Sequence, residues 1–207
     1  MANYSSGGFG SIPFVVKNLL IANVLVFLAQ IVFIKQGTPL EIWFALWNYQ
    51  EGNFRIWQLI THLFMHDTSN WFHIIFNMFG LWMFGSILEN HWGPKRFFNF
   101  NFICGILAGL TQLFFGGFSY AVGASGAVMG VFAGFAYLFP NTPLYMMFIP
   151  VPIKAKFVIP ALIATDLFGV IRPGEGDNVA HWAHLGGAVT GLILVIIWNK
   201  SNRKTFY

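Results

Sequence analysis

Among the polar side chains that fall inside apolar stretches, five are candidates for chemistry: His73, Asn77, Ser125, Asp166 and His184. An ionisable or strongly polar group inside a membrane span is costly, so each one points to a function and a partner. Ser125 stands between Gly123 and Gly126, where a loop turns into an apolar run, and so opens a helix. A hydroxyl becomes a nucleophile when a neighbouring base takes its proton, and an imidazole is the usual base. His184 supplies one. His184, Gly187, Ala188 and Gly191 follow at i, i+3, i+4 and i+7, which places the imidazole and a glycine patch on one helix face. Gly126, Gly130 and Gly134 form a second four-residue series after Ser125. Two such seams let helix axes approach closer than the usual 8–10 Å, near enough for a short serine to meet an imidazole nitrogen.

Acyl transfer also needs donors for a developing oxyanion. The N-terminus of the Ser125 helix offers unpaired backbone N–H groups and the positive end of the helix dipole. His73 and Asn77, at i and i+4 in "HIIFN", share a face and can aim N–H groups at one spot. Each of these residues also has a plainer role. A lone serine in a membrane helix bonds back to a carbonyl or joins a small-residue contact, and a histidine or asparagine bridges helices. Asp166 is read as a structural residue, close enough to the end of its span to reach the interface or a backbone cap. The site is therefore expected to be a Ser125/His184 dyad.

These residues need membrane helices to position them. Of 207 residues, 57% are hydrophobic and 9% charged, against roughly 25% charged in soluble domains. So little charge cannot cover a soluble core, and the chain belongs in a bilayer. Apolar runs broken by polar or Pro/Gly punctuation give six spans in an all-α bundle. They lie at about Leu19 to Ile34, Phe72 to Leu88, Phe97 to Phe115, Ser125 to Phe139, Phe157 to Ile171 and Val179 to Trp198. Residues 1–207 read as one transmembrane domain, with a short tail over 1–16 and a long outer loop over about 35–71. In that loop "PLEIWFALWNY" and "RIWQLITHLFMH" read as short amphipathic helices at the interface.

The Lys and Arg residues set the orientation. Lys17, Lys95, Arg96, Lys154, Lys156, Lys200, Arg203 and Lys204 fall on one side, and Lys35, Arg55 and Arg172 on the other. The positive-inside rule then puts both termini in the cytoplasm and makes Ser125 open its helix from outside. The basic balance reflects topology rather than nucleic-acid binding. Met1 to Ser11, with no Arg or Lys before Lys17, is a poor match to a cleaved leader, so the first span is expected to be retained. Cys104, the single cysteine, lies in an apolar run and builds no disulfide or thiolate metal site.

"GASG" at 123–126, "AHLGGAVTG" at 183–191 and "HIIFN" at 73–77 together resemble the rhomboid intramembrane serine proteases, of the bacterial six-span type. "WQLITHLFMH" at 57–66 and "LENHWGPKRF" at 88–97 extend the resemblance over nearly the whole chain. It implies Ser125 as nucleophile, His184 as general base, and an oxyanion hole from His73, Asn77 and the Ser125 backbone N–H. It implies no cofactor or metal, transmembrane proteins as substrates, and a multi-pass location in a bacterial inner membrane. His181 also follows an alanine but has no glycine at the matching offset, so the base is assigned to His184. Two positions depart from the pattern: Gln58 follows Trp57 where some members have arginine, and Met129 replaces an aromatic residue that often stacks on the histidine. The competing readings are a non-catalytic binder of transmembrane segments, which loss of the serine or base would favour, and a metal site of His62, His66 and His73. His62 and His66 have a metal-compatible i, i+4 pitch but no Glu between them in an H-E-x-x-H pattern.

Overall fold

The computed structural model describes residues 12–117, 120–146, 149–172, 174, 177 and 179–203. The expectations for Met1 to Ser11 and for Lys204 fall outside them. Long apolar stretches form α1 (Phe14–Lys35), α6 (Pro94–Phe115) and α9 (His181–Arg203). A fourth long span, Trp71–Trp92, is continuous in the chain and consists of α4 (Trp71–Gly80), a π-helical turn over Leu81–Gly85 and α5 (Ser86–Trp92). These four helices are long and apolar enough to cross a membrane. The fourth and fifth expected spans are shorter helices, α7 (Ser125–Leu138, 14 residues) and α8 (Ala155–Ile171, 17 residues, with Pro160 inside it).

The observed helices start one to five residues earlier than expected at four of the six spans, because caps rather than hydropathy end a helix. At α1 the cap is Glu89: its Oε1 and Oε2 accept from Val15 N and Val16 N at 2.9 and 2.8 Å. Glu89 is buried, and it answers both the free N–H groups and the positive dipole end of α1. Pro94 at the first turn of α6 meets the same need by lacking an N–H. Gly93 before it sits at φ +82°, a turn conformation that glycine adopts at little cost.

Among the described residues the all-helical expectation holds apart from one hairpin, β1 (Pro143–Met146) with β2 (Ile149–Lys154), paired antiparallel between α7 and α8. Its Pro and β-branched residues disfavour helix. In the outer loop the two amphipathic stretches become α2 (Glu41–Phe44), α3 (Gln58–Thr61) and two 3-10 turns, Tyr49–Glu51 and His62–Phe64. Ile42, Trp43, Phe44, Ile56, Trp57 and Ile60 stay exposed on them, as interfacial segments require.

The main core gathers Val16, Leu88, Phe97, Phe100, Phe135 and Ile159, all almost fully buried, from helices α1, α5, α6, α7 and α8. Outward faces of the long helices expose Leu25, Leu28, Phe76, Phe114 and Ile197, the arrangement expected of a bundle whose solvent is lipid. At one end, Arg96 donates to the Trp198 carbonyl and lies 4.7 Å over its ring, joining the α5–α6 turn to the end of α9. The polar residues singled out in the sequence collect at the opposite end.

Candidate active site

The loop before α7 is fixed by the outer loop. Leu46 and Ala121 exchange two backbone hydrogen bonds of 2.9 Å, Asn48 Nδ2 donates to the Gly117 carbonyl, and Gly123 N donates to the His62 carbonyl at 2.9 Å. Gln58 organises the outer side of this frame. Its buried side chain accepts from Arg55 N and donates to the Trp43 and Asn53 carbonyls, so the amide at this departure from the family pattern anchors the loop. Ser125 follows as the first residue of α7. A 14-residue helix spans about 21 Å against a hydrocarbon core of about 30 Å, so α7 is too short to reach both membrane rims.

Ser125 Oγ and His184 Nε2 are 2.8 Å apart. Helices α7 and α9 make this possible by meeting backbone to backbone. A Cβ at Gly187 would overlap the Gly126 carbonyl oxygen, and one at Gly191 would overlap the Gly130 backbone. A Cβ at Gly130 would fall 3.0 Å from the Gly187 oxygen and 2.6 Å from Cys104 Sγ on α6. The expected seam is shorter than its sequence pattern, however. Gly134 faces Phe100 Cζ at 3.0 Å and Leu88 rather than α9, because the stripe runs along α6, whose Ala108, Cys104 and Phe100 lie against Gly126, Gly130 and Gly134 in turn. Met129 packs with Ala133 and Ala188, one turn beyond His184 on α9.

His73 reaches the same place from α4. Its Nδ1 takes the Asp67 N–H at 3.3 Å. A backbone amide only donates, so Nδ1 is the acceptor nitrogen and Nε2 carries the proton. That Nε2–H points at the loop before Ser125: a Cβ on Gly123 would lie 2.7 Å from Nε2 and 3.6 Å from Ser125 Oγ. Gly123, at φ +124°, is the residue that leaves room for this approach. Asn77 is buried on the same helix and gives one Nδ2 hydrogen to the His73 carbonyl at 2.9 Å, leaving the second hydrogen of the amide.

Asp166 corrects the sequence reading. Among the described residues its carboxylate caps no backbone N–H and is held by two histidines instead. Its Oδ1 lies 2.7 Å from His184 Nδ1 and 2.8 Å from His181 Nδ1, and His181 Nε2 lies 3.0 Å from Asp177 Oδ2. Both carboxylates and His181 were thus missing from the expected site. The signal was present: Asp166 is the one acidic residue within the six expected spans, and His181 precedes His184 by one helical turn. Depth within a span does not decide which way a side chain turns, and that of Asp166 is 10% exposed and turned toward α9.

The histidines of the competing metal reading do not converge. His62 Nδ1 donates to the Gln58 carbonyl at 2.6 Å, and its ring packs by Gly109. His66 is buried beside His73, ring centroids 5.2 Å apart. Burial holds His62 down to about 4 and His66 to about 3, so both are neutral. Among the described residues, the His, Cys, Asp and Glu side chains close enough to share an ion are Asp166, His181 and His184 instead.

Residues 53–201 match the family described as Rhomboid domain. The chain is 31% identical to RHOMBOID-like protein 12, mitochondrial, of Arabidopsis thaliana, over 93% of its own length and 60% of that protein's. It is 32% identical to Rhomboid protein 1, mitochondrial, of Saccharomyces cerevisiae, over 65% of its own length and 40% of that protein's. To Rhomboid protease GlpG of Photorhabdus laumondii it is 29% identical over 79% of its own length, spanning 54% of that protein. The chain therefore spans about two fifths to three fifths of the length of these relatives.

Proposed function

The chain belongs to the rhomboid family, and from that membership we propose that it is an intramembrane serine endopeptidase that hydrolyses peptide bonds in or near the transmembrane segments of other proteins. The observation that carries this reading is the 2.8 Å contact of Ser125 Oγ with His184 Nε2 at the start of the short helix α7.

On this reading His184 Nε2 takes the Ser125 hydroxyl proton as Oγ bonds to the scissile carbonyl carbon. The carbonyl oxygen becomes an oxyanion, for which this reading assigns the His73 Nε2–H, the Ser125 backbone N–H and the second Asn77 hydrogen as donors. Collapse of the intermediate breaks the C–N bond, and His184 returns its proton to the leaving amine. Water, activated by the same imidazole, then hydrolyses the acyl-serine. A peptide bond inside a helix is shielded by its own hydrogen bonding, so preferred substrates carry glycine or other helix-weakening residues at the cut.

We further read the whole chain as one six-span unit and place the Lys- and Arg-rich end, with both termini, on the cytoplasmic side of a bacterial inner membrane, so the Ser125 end opens to the other side. The mitochondrial relatives carry that location in their own names only. The test is labelling of the detergent-solubilised protein with a serine-reactive phosphonate, with and without chelator. Modification at Ser125 that chelator leaves intact and Ser125→Ala abolishes supports the reading. Unlabelled Ser125 together with chelator-sensitive proteolysis would replace it by a metal-dependent one.

A further inference from the structure

Building on the serine-hydrolase reading above, we propose that Asp166 is the positioning carboxylate of the site, so that Ser125, His184 and Asp166 work as a triad and His181 braces the same carboxylate oxygen from one turn away.

The tautomer of His184 follows from what its nitrogens face. Nδ1 is 2.7 Å from Asp166 Oδ1, and an ionised carboxylate only accepts, so the neutral imidazole carries its proton on Nδ1. The lone pair is then on Nε2, 2.8 Å from the Ser125 hydroxyl. A base needs this tautomer, and without a partner on Nδ1 nothing selects it over the inactive one. When Nε2 takes the serine proton, the imidazolium forms against a carboxylate already in place, inside a bundle where little else would offset its charge.

Asp166 is itself held. The side chain is 10% exposed and comes from α8, with His181 and His184 closing on its Oδ1 from one face of α9. His181 has a carboxylate oxygen at each ring nitrogen, Asp166 Oδ1 at 2.8 Å and Asp177 Oδ2 at 3.0 Å. Both nitrogens must therefore donate, which makes His181 an imidazolium and the countercharge of Asp166. Asp177, in the loop before α9, is correspondingly held below the usual carboxylate range, first of all by its hydrogen bond from His181. Two N–H groups on one oxygen fix the rotation of the Asp166 carboxylate, and through it the ring plane of His184. The groups around His184 are then Ser125 from α7, Asp166 from α8, His181 one turn before it on α9, and His73 from α4.

The experiment uses the full chain in detergent, treated first with chelator. That step matters because the three ligand atoms of Asp166, His181 and His184 lie within 4.8 Å of one another, and a metal on His184 Nδ1 would remove the base by other means. Asp166→Asn, nearly isosteric, is expected to lower kcat for a model transmembrane substrate by about 10²–10⁴-fold while KM changes little. In ¹⁵N-histidine spectra, the His184 proton should move from Nδ1 to Nε2. Asp166→Glu should recover part of the loss, and His181→Gln should cost less than Asp166→Asn. If Asp166→Asn keeps wild-type kcat and the Nδ1–H signal while Ser125→Ala is inactive, the triad is overturned and the hydrolase reading stands. If Ser125→Ala remains active, it is the hydrolase reading that fails. Should Asp166→Asn not fold, the spectrum of the unaltered protein decides, because a resting His184 protonated on Nε2 contradicts the proposal.

Discussion

Ser125 Oγ and His184 Nε2 lie 2.8 Å apart across 59 residues of chain, joined by two helices that touch through their backbones. If the pair works as one unit, losing either member removes the function of the other. Ser125→Ala and His184→Ala are each expected to lower cleavage of a model transmembrane substrate by at least about 10⁴-fold, with the double variant no worse than the single ones. Initial rates on reconstituted substrate, with a melting curve to show retained folding, check this. Strong residual turnover in Ser125→Ala would remove the serine from the chemistry.

His73 and Asn77 are not equivalent, although their i, i+4 spacing makes them look so. His73 Nε2–H faces the Gly123–Ser125 segment, whereas one of the two Asn77 hydrogens is already bonded to the His73 carbonyl. Removing a single oxyanion donor costs on the order of 10²–10³ in kcat, and His73→Ala should lose that much with KM nearly unchanged. Asn77→Ala should lose less. Equal kinetics for wild type and His73→Ala would reduce the residue to a helix contact.

The apolar runs and the Ser125, His184 and His73 positions were legible because each leaves a local mark: hydropathy for a span, a polar side chain within it, a glycine at the right offset. Gln58 and Asp166 were harder to read. Gln58 is an amide in an exposed-looking loop, and its anchoring role depends on carbonyls at Trp43 and Asn53 that no spacing rule connects. Asp166 was placed by depth along α8, but its partner is set by rotation about that helix and by the approach of α9. Gly134 shows the converse. It continues the four-residue spacing of Gly126 and Gly130, yet faces Phe100, because the stripe also serves α6, and spacing alone does not say which neighbour each glycine meets.

Acid should destabilise the protein before its carboxylates titrate. Burial holds His62 at about 4 and His66 at about 3 in the folded chain, below the ordinary 6.5. Between those values and 6.5 the unfolded chain binds protons that the folded chain refuses, so stability is complete above about pH 6.5 and falls as pH drops below it. Melting temperatures in detergent should decline from pH 7 to pH 5, and His62→Asn should flatten that slope whatever it does to stability at pH 7. An unchanged slope would mean that His62 is open to water.

The last prediction concerns the distance between nucleophile and base without altering either. At Gly187 a single added methyl overlaps the Gly126 carbonyl, and Gly126 is the residue after Ser125. A backbone carbonyl on a packed helix cannot swing aside as a side-chain tip can, so α7 and α9 must separate. Overpacking of this kind costs about 1–3 kcal/mol and shifts backbone, and a misplacement of about 1 Å between reacting groups costs about 10²-fold in rate. Gly187→Ala should therefore reduce both cleavage and phosphonate labelling of Ser125 by about that factor while the protein still inserts and folds. Gly117→Ala is the matched control, since nothing lies within 4 Å of a Cβ there. Wild-type labelling by Gly187→Ala would show that the glycine contact does not set the Ser125 to His184 distance.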